Sequence, residues 1–199
     1  MFESLPDIPR LFTALAEWGA ALVYVFVVAR SASSNALNPN AAVPRWRLAA
    51  AAVGGLVVLV GAQELLGRAP LSLWVPGMMT AYALVWCVIR VGTALDWRWV
   101  THMSARAFIV AELAASLAWQ VVVYSHADKP YWRPLSFGGF AAIASTCLAV
   151  VYFFERRVYR QGALPILRVS DLASGVFIGI SIFALSNLSF ISTATPFSG

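Results

Sequence analysis

LAAAAVGGLVVLVGAQELL, residues 48–66, decides the fold of this chain. No polar side chain occurs in it before Gln63 and Glu64, close to its end. At about 1.5 Å per residue the stretch crosses a hydrocarbon layer of about 30 Å. Lipid offers the backbone no hydrogen-bonding partner, so such a segment must be helical or part of a closed barrel. The alternation of a barrel strand is missing here and elsewhere in the chain, which leaves the helix.

Five more runs of the same kind flank it: Pro9–Ala29, Leu71–Ile89, Met103–Ser125, Leu135–Phe154 and Leu172–Ile191. Sixty per cent of the 199 residues are hydrophobic and 12% charged, and mean hydropathy is +0.76. A soluble domain is excluded at this composition. The expectation is an all-α polytopic membrane bundle of about six transmembrane helices, with residues 1–199 forming a single domain. Its first partner is the lipid bilayer, and its place is the cell membrane as a multi-pass protein.

Arginines orient the bundle. Arg30, Arg45, Arg47, Arg90, Arg98, Arg106, Arg156, Arg157, Arg160 and Arg168 fall on one side. Arg10, Arg68, Lys129 and Arg133 fall on the other. The richer side is cytoplasmic, so the N-terminus and the C-terminus are expected outside. The net charge of +5 then reads as an orientation signal and an attraction to anionic lipid, with no nucleic-acid partner. Trp46, Trp97 and Trp99 match the inner interface, and Trp74, Tyr131 and Trp132 the outer one. MFESLPDIPR (1–10) is acidic before its apolar run and does not read as a signal peptide.

The loops read as punctuation: SASSNALNPNAAVPRWR (31–47) as an irregular inner connector, GRAP (67–70) as an outer turn, and ERRVYRQGALPILRVSD (155–171) as a solvated basic loop. Cys87 and Cys147 lie inside apolar runs and give no disulfide framework. His102 and His126 bracket one span, about 36 Å apart on a regular helix, and cannot share a metal. No Walker loop, dinucleotide fingerprint, HExxH or GxSxG occurs. No cofactor, metal site or catalytic residue is expected, and the chain itself is not read as an enzyme.

Chemistry must therefore come from polar groups within the membrane. Glu17, Gln63, Glu64, Gln120 and Asn187 all fall in the outer half of the bundle, and Glu112 near mid-membrane. Glu112, Ser116, Trp119 and Gln120 follow one another at i, i+4, i+7 and i+8 and share a helical face. Ionisable groups at such depth face a bundle interior or cavity and are functional candidates. Glu17, Glu112, Gln120, Asn187 and Gln63 are accordingly the candidate ligand-binding or coupling residues, in a pocket open to the outside. The plainer reading is that Gln63, Gln120 and Asn187 only bond across helix seams, for about 0.6 kcal/mol each. Gly175 and Gly179, and Ala111 and Ala115, make small-xxx-small steps suited to close helix packing.

ARAFIVAELAASLAWQ (105–120) and SDLASGVFIGISIFALSNLSFISTATPFSG (170–199) resemble the membrane sensor region of GHKL-type sensor histidine kinases, the AgrC-like and LytS-like peptide-sensing kinases of Gram-positive bacteria. The resemblance implies a bundle that receives an external signal, with a peptide as ligand. It also implies homodimerisation through a following cytoplasmic helix pair and an ATP-binding domain beyond it. The chain carries no phospho-acceptor segment, ATP box or ATP lid, and Gly199 is expected outside. It therefore reads as the first six of about seven spans and cannot itself transfer phosphate.

The function expected is sensing of an extracellular or membrane-borne ligand, relayed by helix repacking. A small secondary transporter, with Pro76 and Gly138–Gly139 breaking helices, is the main alternative. A structural membrane subunit is the other.

Overall fold

The structure, a computed structural model, describes residues 8–34, 43–70, 73–93, 95–125, 133–159, 168–179 and 181. Five long helices run through them: α1 (Arg10–Ser34), α2 (Arg45–Leu66), α3 (Trp74–Gly92), α4 (Trp97–Ser125) and α5 (Arg133–Tyr159). Each is long and apolar enough to cross a membrane. A shorter helix, α6, covers Val169–Gly179, and no strand occurs among the described residues. The chain is a helical membrane bundle. The rest of the sixth predicted span lies outside the described residues, apart from Ser181, and so do Asn187, His126, Lys129, Tyr131, Trp132 and Arg160.

α1 is the centre of the bundle. It packs against α2, α3, α4 and α5 alike, and 61% of its membrane window is buried against 11% for α5. Its composition explains the position. Ala14, Ala16, Ala20 and Ala21 are buried on α1, and Ala107, Ala111, Ala115 and Ala118 on α4. Small side chains let helix backbones approach closely where lipid supplies no hydrophobic drive to association. Phe12 stacks on Phe140, with ring centroids 4.2 Å apart, and meets Trp119 at 5.9 Å, closing the outer end of the core. Val53, Val57 and Val58 of α2, Leu113 and Leu117 of α4, and Phe153 and Phe154 of α5 point outward, where acyl chains solvate them.

α6 lies along α4. A Cβ added at Gly175 would sit 3.4 Å from Nδ1 of His102, and one at Gly179 would sit 3.6 Å from Cδ1 of Ile109. The two glycines thus turn their small face to a neighbour within the bundle.

α2 is not a uniform helix. Ala50–Gly54 forms a π-turn, and the indole Nε1 of Trp18 donates to the carbonyl of Ala52 at 2.7 Å. A wider turn loosens the i→i−4 ladder and frees a carbonyl for an outside donor. The small side chains of AAAVG leave that carbonyl within reach of α1.

The ends of the helices confirm how the loops alternate. Arg47 donates to the carbonyls of Val91 (2.8 Å), Arg90 (3.1 Å) and Thr93 (3.0 Å), a cation on the negative end of α3. Arg30 donates to the hydroxyl of Tyr152 at 3.2 Å. Arg10 lies beside Gly67 at the opposite end, where Arg68 and Ala69 close the GRAP turn by bonding back to Leu65 and Leu66.

Three expectations change. α5 continues through Glu155, Arg156 and Arg157 to Tyr159, so the start of the basic "loop" is helix, and Glu155 is buried. α3 runs unbroken through Pro76, which stands in its first turn, where the missing N–H would have had no helical partner anyway. α5 likewise runs unbroken through Gly138–Gly139.

Candidate functional site

Glu17 projects from α1 toward α2 and meets Gln63 there. Gln63 Nε2 donates to Glu17 Oε1 at 2.8 Å, and the two residues are 0% and 1% exposed. The bond ties the central helix to its neighbour within the apolar core. Glu17 Oε2 and Gln63 Oε1 are buried and have no partner among the described residues. Above the pair, at the outer end by the charge rule, lies a cavity of about 220 Å³. Arg10, Gln63, Gly67, Pro70, Gly77 and Met78 are among its walls. Gln63 therefore belongs both to the cavity and to the buried bond.

Glu112 is half-buried on α4. Its charge acts at longer range on Glu17, and that of Arg10 acts on it; among the described residues the bonded pair at this site is Glu17 with Gln63.

Gln120 does not join it. Eight residues beyond Glu112 on a helix of 3.6 residues per turn, it is rotated by about 80°. That rotation carries it to the exposed stripe of Leu113, Leu117 and Val121. Trp119, rotated about 20° the other way, is buried. The spacing that placed Glu112 and Gln120 on one face was too generous by a quarter-turn. Asn187 lies outside the described residues, and Glu64 is exposed.

A second polar cluster lies nearer the inner end, and its residues were not singled out from sequence. Arg106 Nη2 of α4 pairs with Glu155 Oε1 of α5 at 2.5 Å, and the Tyr24 hydroxyl of α1 donates to the same oxygen at 3.1 Å. One carboxylate thus holds three helices. A second cavity, of about 290 Å³, is walled by these three residues with Ile109, Val151 and Phe154. Tyr24 stands seven residues after Glu17, two turns along α1, so one helix carries both clusters on nearby faces. That i, i+7 spacing was the available sequence signal. Arg106 and Glu155 gave none, because Arg106 was read as an orientation charge and Glu155 as part of a solvated basic loop.

Among the described residues, no three His, Cys, Asp or Glu side chains stand close enough to hold a metal ion. Set against known proteins, the chain matches no protein-family model, no curated protein and no solved structure. Functional assignment therefore rests on the residues themselves.

Proposed function

We propose that the chain is the signal-receiving membrane module of a GHKL-type two-component sensor histidine kinase in a bacterial cell membrane. A small extracellular or membrane-borne ligand, on the family resemblance a peptide, enters at the outer cavity. Helix repacking carries the signal inward to kinase parts that follow this segment.

The observation that carries the reading is the Glu17–Gln63 bond beneath an outward cavity. A ligand competing for Gln63 would loosen α2 from α1. Because α1 also carries Tyr24 to the inner cluster, a movement of α1 reaches Arg106 and Glu155 without any further connector. For this to signal, the ligand must bind one packing better than the other, since equal affinity shifts nothing. The transporter alternative draws less support, since α3 and α5 run unbroken through the residues proposed to interrupt them.

Sequencing the gene downstream of the Gly199 codon tests the proposal. The expected result is a seventh apolar span, a histidine-bearing helix pair and an ATP-binding domain. A stop codon with no kinase encoded alongside would overturn it. Uptake of labelled solutes into proteoliposomes would then separate a transporter from a structural subunit.

A further inference from the structure

The outer pair is incompletely bonded in an informative way. As a carboxylate, Glu17 can only accept hydrogen bonds, and among the described residues the one donor reaching it is the neutral amide of Gln63. Its Oε2 and the Gln63 Oε1 are both acceptors, both buried and both without a partner among the described residues. Among the described residues no cation stands within ion-pair distance of Glu17; the ion pair formed there is that of Arg106 with Glu155. Glu112 of α4, the other carboxylate acting on Glu17, is of like sign. Arg10, on the rim of the cavity, acts on Glu112. The described charged side chains of α3 and α5, namely Arg90 and Glu155 to Arg157, stand toward the other end of the bundle. An isolated carboxylate in such a place lacks compensation, and two orphaned acceptors add to the cost.

A carboxylic acid and a primary amide are self-complementary, each supplying one donor and one acceptor. We propose that Glu17 and Gln63 form a proton-binding site. A hydrogen on Oε2 of Glu17 is donated to Oε1 of Gln63, so that α1 and α2 are joined by two hydrogen bonds rather than one. The proton comes from outside water by way of the cavity that Gln63 lines, and returns there when the helices part and the carboxylate is hydrated. Closure of α1 on α2 then takes up one proton. Once the open form titrates, the ratio of closed to open falls about tenfold for each further unit of pH. The site is independent of whether the chain is a sensor or a transporter.

Infrared spectroscopy of the protein in lipid nanodiscs at neutral pH tests the assignment. The expected spectrum has a protonated-carboxyl C=O band that disappears in Glu17→Gln and persists in Glu112→Gln. Gln63→Leu should keep the band but move it to higher frequency, because the acid loses its hydrogen-bonded partner. A band lost only in Glu112→Gln, or no band at all, overturns the proposal, as does a band indifferent to Gln63→Leu. Should Glu17→Gln fail to insert, carbon-13 labelling of the five glutamates in the wild-type chain supplies the same reading. One glutamate carboxyl carbon must show the shift of the acid form at neutral pH and keep it when the same labelling is repeated in Glu112→Gln; its absence from either sample refutes the site.

Discussion

Removing Arg106 should harm the protein more than removing Glu155, although the two are partners. The side chain of Arg106 is 43% exposed and that of Glu155 only 4%. In Glu155→Gln the freed guanidinium reaches headgroups or water along its flexible stem, and Tyr24 keeps an amide oxygen to donate to. That change should cost about 1 kcal/mol. In Arg106→Gln the carboxylate stays buried, held by the Tyr24 hydroxyl at 3.1 Å and with its Oε2 unpartnered. Breaking a fully buried pair in this direction costs about 3–5 kcal/mol. Because Arg106 is partly solvated the attraction is screened, and about 2–3 kcal/mol is expected here. The double variant carries no orphaned charge and should be more stable than Arg106→Gln alone, a non-additivity expected of residues that share one network. Reversible unfolding in mixed lipid–detergent micelles, followed by tryptophan fluorescence, measures all three. Equal costs for the two single variants, or a double variant that sums them, would refute the picture of one carboxylate holding three helices.

Two further outcomes follow from the packing. A Cβ at Gly92 would fall 2.7 Å from both Cγ atoms of Val25 and 3.0 Å from Cβ of Ala51, whereas at Gly138 it meets nothing within 4 Å. Gly92→Ala should therefore destabilise the bundle by about 1–3 kcal/mol, and Gly138→Ala should stabilise it by about 0.5–1 kcal/mol through helix propensity. The same unfolding assay must give opposite signs. Trp18→Phe keeps an aromatic ring but removes the indole N–H and its 2.7 Å bond to the Ala52 carbonyl. It should cost about 1 kcal/mol and speed amide exchange around Ala50–Gly54, while exchange in the outer half of α2 stays unchanged.

What could be read from the chain alone was everything that depends on one helix and its solvent. Leu48–Leu66 must be helical because lipid leaves its backbone no other partner, and the uneven arginines give an expected orientation because that bias is counted along the chain. Glu17 and Gln63 were both legible as polar groups in apolar runs, but not as a bonded pair, because partnership depends on which helix stands beside which. α1 takes the centre through its alanines and so brings Glu17 against α2. Gln120 is turned outward by 80° of helical rotation, a quantity that matters only once α4 has neighbours on one side. Glu155 was taken for the start of a solvated basic loop because hydropathy ends a span at the first cluster of ions. The helix continues through that cluster, and Arg106 and Tyr24, distant in sequence, supply the partners that make its burial tolerable. Composition along single segments therefore determined the helical membrane fold. Contacts between segments decided the polar clusters, since a buried charge or amide is settled by whatever partner the packing brings to it.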